Sequence, residues 1–309
     1  MGIHDAAALP AYRFFPKPSA KPSSRRRLDM RTWQQVDFPE CLVLPVCPTN
    51  LDWCCEKYLR LYQASVWHKY VDALLTGVVC SVLNEKLVDF QLAEVALKDP
   101  KTGLWHQLEN KPDWFVRLNP LGKVPVLAHK DASGTVRSVY ESLICNEYLE
   151  ECHPRLAMLP SDPVARAHAR IIIDRFNSKF VPVFYRFLIR QEAAGQEECA
   201  GQLRSELAWL DSQVHERGPY FAGQEFSLVD AAIIPWFTRM PVLQHYRSFH
   251  LPDKLTRLAG WAQRAARRQS VLDSETVPPG AEDYSAALLQ HYSRYADASA
   301  NSTSARDFK

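Results

Sequence analysis

Between Leu121 and Ser142 the chain gathers groups suited to gripping a small peptide. The stretch reads LGKVPVL, then a polar turn DASG, then TVRSVYES. The pattern predicts two short strands joined by a hairpin turn, the first with a proline in its middle, and a helix opened by Glu141 and Ser142. A proline lacks the N–H that a central strand requires. As a cis peptide at a strand end, Pro125 would expose the backbone N–H and C=O of its neighbour to a ligand. A carboxylate and a hydroxyl at a helix start, beside that backbone, suit a ligand carrying both an ammonium and a carboxylate.

Each of these residues also has a plainer reading. Lys111, at a loop–helix junction just upstream, is taken alone a solvated charge, as most lysines are. Pro125 as a trans proline would mark an edge strand. Glu141 near a helix start is a dipole partner worth about 0.3–1 kcal/mol, and Ser142 is an ordinary cap. Their occurrence together favours a binding site.

The elements that must hold these groups follow from pattern and punctuation. YLRLYQAS (58–65) reads as a strand, VDALLTGVVCSVLNEKL (71–87) as a buried helix and FQLAEVAL (90–97) as a second strand. Residues 98–110 read as a loop from their Pro and Gly content. Residues 111–120 read as a short helix or turn ending before Pro120, and the helix ESLICNEYLEECH after the hairpin stops at Pro154. The order β-α-β-α-β-β-α matches a thioredoxin-like α/β unit. From Leu159 onward only helices are expected. Asp162-Pro163 is a helix start, and Pro182 predicts a kink in the long run that follows. Leu203, Leu207, Leu210 and Val214 share one helical face. Ser227 to Asp230 has capping-box spacing. Residues 253–272 read as one amphipathic helix and 281–296 as a last short one.

Bulk properties narrow the function classes. The chain has 309 residues, 47% of them hydrophobic, with 37 basic and 35 acidic side chains for a formal charge of +2. That balance gives no reason to expect a nucleic-acid partner, and no apolar run reaches the length of a membrane span. The eight cysteines form no CxxC pair or zinc pattern, so no metal is expected, and reduced thiols in the cytoplasm are the reading. MGIHDA is a poor myristoylation match. The basic, Ser- and Pro-rich start reads as a disordered arm. The domain expectation is an N-terminal extension over 1–56, a thioredoxin-like domain over 57–154, an all-helical domain over 159–275, and a terminal helix and tail over 276–309.

The pieces NKPDWF (110–115), NPLGKVPVL (119–127), YES (140–142), EYLEE (147–151), MLPSDP (158–163), SLVD (227–230) and PWF (235–237) resemble the cytosolic glutathione transferases, and most of all their omega class. The resemblance covers residues 57–275. It implies an α/β thioredoxin-like N-terminal domain followed by an all-α C-terminal domain. It also implies a glutathione-dependent transferase or thiol reductase, with glutathione as co-substrate, a small hydrophobic electrophile or disulfide as second substrate, a role in detoxification and a homodimer. On that resemblance Lys111 would meet the glycine carboxylate of glutathione. The backbone of Val124, beside Pro125, would pair with its cysteinyl unit. Glu141 would hold the γ-glutamyl ammonium, and Ser142 with its helix N-terminus the γ-glutamyl carboxylate. Phe180, Phe184 and Trp236, with Phe176 and Tyr185, are candidates for the second-substrate pocket, although an aromatic stripe is more often core.

The chain departs from the family where the chemistry is done. Omega-like members place Cys-Pro just after the first strand, where a helix N-terminus lowers the thiol pKa. Here that position falls near Trp67 or Ala73, depending on the anchor, and neither is a thiol. Ser65 is the nearest hydroxyl and could donate a hydrogen bond to the thiolate of glutathione. Tyr62 and His68 are weaker candidates. Cys47, in the chain's Cys-Pro pair, is the rival nucleophile, and Cys54 or Cys55 a third route; Cys80 reads as a buried hydrophobe. The residues Trp105 and His106 would cover the site or anchor their loop. The alternative to an enzyme is a binding or assembly module on the same fold.

Overall fold

A computed structural model of the chain describes residues 58–65, 74–97, 106–130, 135–275 and 284–298. The N-terminal α/β part has strand β1 (Tyr58–Ser65), helix α1 (Leu74–Glu85), strand β2 (Phe90–Ala96), a 3₁₀ turn (Leu108–Asn110) and helix α2 (Asp113–Leu118). Strands β3 (Val126–Lys130) and β4 (Val136–Tyr140) and helix α3 (Ser142–Cys152) complete it. The strands form one sheet in the order β2-β1-β3-β4. β1 pairs parallel to β2, and β3 pairs antiparallel to both β1 and β4.

Apolar side chains are buried on both faces of this sheet. On one face Leu59, Leu61 and Leu127 pack with Val79 and Leu83 of α1 and with Cys145 and Leu149 of α3. On the other, Val95, Leu97, Val126 and Ala128 pack around Phe115 of α2. α1 lies between the sheet and the helical part, touching α3 on one side and helices of the C-terminal part on the other. That position accounts for its nearly continuous apolar sequence.

The helical part begins with α4 (Pro163–Arg175), α5 (Val181–Ile189) and α6 (Ala193–Gln213). It continues with α7 (Leu228–Phe237), α8 (Met240–Arg247), α9 (Thr256–Ala265), α10 (Gln269–Leu272) and α11 (Tyr284–Ala296). The start of α4 is capped by Asp162, whose carboxylate accepts from Ala165 N at 2.7 Å. The face of α6 carrying Leu203, Leu207 and Leu210 is buried as its spacing requires. The start of α7 is built around Asp230, which is fully buried. Its Oδ2 accepts from Ser227 N at 2.8 Å, and its Oδ1 from Phe221 N at 3.1 Å and Trp261 Nε1 at 2.6 Å. Burial pushes this carboxyl upward, and the hydrogen bonds from Ser227, Phe221 and Trp261 oppose that shift. Helix α11 is tied back by Arg247 and Gln191, which both donate to Ala296 O, at 2.8 and 2.9 Å.

Three details differ from the sequence pattern. The strand containing LGKVPVL begins only at Val126, so Pro125 precedes it and no ladder donor is lost. The kink expected at Pro182 is a π turn over Phe176–Phe180, just before it. Proline has no N–H and crowds the carbonyl four residues back, so the helix widens there and Val181 N–H donates to Phe176 O. The segment 253–272, expected as one helix, holds two, because Arg268 is extended between them. That break lets its guanidinium grip Glu85 of α1, with Nη2 at 2.7 Å from Oε2.

Candidate functional site

The site is assembled at one edge of the sheet. Val126 pairs with Tyr140 across β3 and β4, and with Tyr62 across β3 and β1. The residues just before Val126, just after Tyr140 and just after Tyr62 therefore meet at the same edge. They are Val124 and Pro125, Glu141 and Ser142, and the end of β1 where Ser65 lies. The Val124–Pro125 peptide bond is cis.

The turn leading into Val124 is held by a residue that the motif reading passed over. Asn119 is buried. Its Nδ2 donates to Lys123 O at 2.7 Å, and its Oδ1 accepts from Leu121 N at 3.0 Å. The neighbouring Gly122 has φ +60°, and a Cβ there would lie 2.7 Å from Leu108 and 2.8 Å from Lys111. Glycine suits this left-handed conformation, and a larger residue would push the Leu108 and Lys111 side chains aside. The Asn-Pro-x-Gly spacing, a turn signal, was the clue to both residues.

Lys111 crosses this turn, and its Nζ donates to Gly122 O at 2.8 Å. Burial, and then the charge of Lys123, lower its pKa. Two like charges near one turn favour an anion beside them. Glu141 is exposed and has φ 67° and ψ 114° at the N-cap of α3. A non-glycine residue held at positive φ costs about 1–3 kcal/mol and occurs preferentially at functional sites. Its carbonyl accepts from Cys145 N at 2.8 Å, closing the first turn of the helix. Ser142 follows as the first residue of α3 and is 6% exposed. The first N–H groups of such a helix have no partner within it and point toward its start.

Ser142 also opens onto a cleft between the two parts of the fold. Leu75 and Val78 of α1, Phe176 and Asn177 of the π turn, and Trp236 of α7 line it. Its enclosed space is about 10 Å³, that of roughly one water-sized sphere. Of the aromatic candidates, Trp236 lies in this wall. Phe180, at the end of the π turn, and Phe184, on α5, lie in the core at 0% exposure, where Phe180 stacks on Phe237 and Phe184 meets Trp236 edge-on. Phe176 takes their place at the cleft. Tyr185 is likewise an interior ring, 5.7 Å from Trp236.

The candidate nucleophiles divide in two groups. Cys47, Cys54, Cys55, Trp67, His68, Ala73 and Trp105 lie outside the described residues, as do the extension over 1–56 and the hairpin turn at 131–134. Ser65 and Tyr62 are placed by the backbone of β1. Among the described cysteines, burial pushes the thiols of Cys80 and Cys145 up to about 12, so neither supplies a thiolate at neutral pH. His106 anchors its loop, with its N–H donating to Leu97 O at 2.9 Å. No group of metal-ligating side chains occurs among the described residues, and none of their helices is long and apolar enough to cross a membrane.

Comparisons with known proteins agree with this architecture. Residues 79–152 match the family description "Glutathione S-transferase, N-terminal domain", and residues 193–264 match "Glutathione S-transferase, C-terminal domain". Glutathione S-transferase omega-1 of Sus scrofa is 34% identical over 167 residues, 53% of this chain and 61% of that protein. Glutathione S-transferase U25 of Arabidopsis thaliana is 32% identical over 196 residues, 62% of this chain and 80% of that protein. The crystal structure of glutathione transferase Omega 3C from Trametes versicolor superposes with a TM-score of 0.59 at 30% identity, covering 77% of this chain and 89% of that one. With both halves of the fold matched in order, the chain belongs to the glutathione S-transferase family, enzymes that use glutathione as co-substrate, and it is omega-like within that family.

Proposed function

We propose that the sheet edge formed by residues 119–125 and the start of α3 binds glutathione, and that the protein acts as a transferase or thiol reductase on a second substrate held in the adjoining cleft. The observation that carries this reading is the pairing of Val126 with Tyr140. It sets the backbone of Val124 beside the N-terminus of α3, so one extended tripeptide can reach both. Lys111 then meets the glycine carboxylate, with Lys123 adding positive charge. The backbone of Val124 receives the cysteinyl unit. Glu141 takes the γ-glutamyl ammonium, and Ser142 with the free N–H groups of α3 takes the γ-glutamyl carboxylate.

The chemistry belongs at the end of β1. A hydroxyl on Ser65 would stabilise the glutathione thiolate by donating to it. The thiolate then attacks a small apolar electrophile bound against Trp236 and Phe176. The attack forms a carbon–sulfur bond, the leaving group departs with its electron pair, and the thiol proton passes to solvent. A homodimer, a cytoplasmic location and a role in detoxification accompany this reading.

Isothermal titration with glutathione tests it. We expect saturable binding by the full chain that weakens about tenfold or more in Glu141→Ala, the loss of one charge-assisted hydrogen bond. Absence of binding to the unaltered chain, or identical binding by Glu141→Ala, would overturn the proposed site. Conjugation of an aryl halide, and its dependence on Ser65 as probed with Ser65→Ala, tests the thiolate step separately.

A further inference from the structure

Among the described cysteines, Cys80, Cys145 and Cys199 are buried, and burial raises all three thiols. Cys152 is half-buried and is the last residue of α3. The site described above does not use it. The helix dipole opposes ionisation of a thiol at a helix C-terminus. Any reactivity of Cys152 must therefore come from its neighbours.

Those neighbours form a relay. Tyr148 lies four residues before Cys152 on α3 and shares its face. The Tyr148 hydroxyl is hydrogen-bonded to Cys152 on one side and to His129 Nδ1 on the other. The His129 and Tyr148 rings stand 6.0 Å apart. His129 belongs to β3, two residues from Leu127 and so on the sheet face that α3 covers. Its cross-strand neighbour on β4 is Arg137, an exposed cation whose charge acts on the Tyr148 hydroxyl. Burial, and then the bond to Cys152, push that hydroxyl upward against the pull of Arg137. It therefore stays protonated and serves as a donor. Two carboxylates of the same helix are neutralised, Glu147 by Arg170 and Glu150 by Lys86. A nucleophile, a hydroxyl, an imidazole and a cation from three elements are thus brought together.

We propose that Cys152 is a site of reversible S-glutathionylation by glutathione disulfide, with Tyr148 and His129 as its proton relay. In the resting state the thiol donates to the Tyr148 oxygen, and the Tyr148 hydroxyl donates to His129 Nδ1. Moving both protons one place along leaves a thiolate that accepts from Tyr148 and an imidazolium at His129. The thiolate attacks one sulfur of the disulfide. A new sulfur–sulfur bond forms and the old one breaks, and the other sulfur leaves with the bonding pair as glutathione thiolate. That thiolate takes up the proton that His129 releases to solvent. Cys152 is oxidised, and the departing glutathione is reduced. Glutathione disulfide carries more carboxylates than ammonium groups, so Arg137 favours its approach. The reaction is separate from the proposed glutathione site at the start of α3 and does not rest on it.

Incubation of the full chain with glutathione disulfide, followed by peptide mapping by mass spectrometry, tests this. We expect a glutathionyl unit on the Cys152 peptide that dithiothreitol removes. Tyr148→Phe should slow its formation about tenfold, the loss of a hydrogen bond to a charged sulfur. A role confined to packing would act the other way, because a loosened helix end exposes the thiol. His129→Gln, which keeps a polar group but takes up no proton, should slow the reaction as well. Arg137→Gln should slow it with glutathione disulfide and leave the uncharged 2-hydroxyethyl disulfide unaffected, whereas Tyr148→Phe should slow both. No adduct on Cys152 in the folded chain, with the same peptide labelled after unfolding in urea, overturns the proposal. So does equal labelling of Cys80, Cys145 and Cys199, or a rate that is unchanged or faster in Tyr148→Phe. An unchanged rate in His129→Gln removes His129 from the relay, and an equal effect of Arg137→Gln on both disulfides overturns the role of the cation.

Discussion

Lys111 Nζ and Gly122 O are joined by a hydrogen bond of 2.8 Å across the turn that precedes the β3 strand. This one contact gives the lysine two tasks. It fixes the turn that presents Val124, and it holds an ammonium group beside Lys123 where an anionic ligand end would sit. Replacing Lys111 by Met should therefore raise the KM for glutathione by about tenfold or more, since hydrogen bonds to charged groups contribute about 1.5–3 kcal/mol. Lys123→Met should raise the pKa of Lys111, because the repulsion that lowers it is removed. Initial-rate kinetics with glutathione as the varied substrate checks the first expectation, and NMR titration of a labelled Lys111 the second. An unchanged KM would remove Lys111 from the site.

Glu141 sits at φ 67°, where glycine adopts the conformation without strain. Glu141→Gly should raise the thermal midpoint, because strain of about 1–3 kcal/mol is relieved, while glutathione binding weakens. Opposite movements of stability and binding identify the strain as functional. A fall in both would show instead that the side chain supports the fold.

Lys86 and Glu150 clamp the connection between the two parts of the fold. Their charged groups are 2.5 Å apart, with the Lys86 side chain at 0% exposure. Lys86 Nζ also donates to His153 O at 3.0 Å and Leu156 O at 2.9 Å, and Glu150 accepts from Met158 N and Leu159 N. Lys86→Met should destabilise the protein by about 3–5 kcal/mol, because it leaves a carboxylate without its counter-charge. Urea unfolding measures this. The double change Lys86→Met with Glu150→Gln should recover part of the loss.

Glu275 supplies a pH dependence. Burial raises its carboxyl from 4.5 to about 7, against the opposing pull of Arg239 and a hydrogen bond from Thr238. A carboxyl whose folded pKa lies above its unfolded one binds its proton more tightly in the folded state. Its contribution to stability is complete below about pH 4.5 and is lost as pH rises through about 7. Urea midpoints between pH 5 and pH 8.5 should fall along that window, and Glu275→Gln should flatten the curve. A slope unchanged in Glu275→Gln would assign the dependence to another group.

Much of the N-terminal fold was legible from local pattern. The strands were marked by aromatic and branched residues lying between turn signals, and helix α1 by its longer, nearly continuous apolar run. The capping positions Asp162 and Ser227 were legible for a different reason. A helix N-terminus must satisfy its own N–H groups from residues close in sequence. The pocket side chains were harder. Phe176, Phe180 and Phe184 have the same chemistry and the same helical spacing, and no local signal says which of them faces the cleft. Asn119 was also passed over, because its work is done on the main chain of a turn rather than by a recognisable chemical group.

The sequence by itself determined which segments are strand and helix, where the helices start, and which groups stand at a two-strand edge able to take a small charged peptide. Those properties depend on neighbours a few residues apart. The tertiary structure alone decided that Phe180 and Phe184 fill the core while Phe176, Asn177 and Trp236 face the cleft. It decided that Arg268 breaks a helix to reach Glu85, and that the thiols of Cys80 and Cys145 are buried too deeply to ionise. Each of these depends on what lies across a packed interface, contributed by chain that is distant in sequence, and side-chain orientation and desolvation are set there.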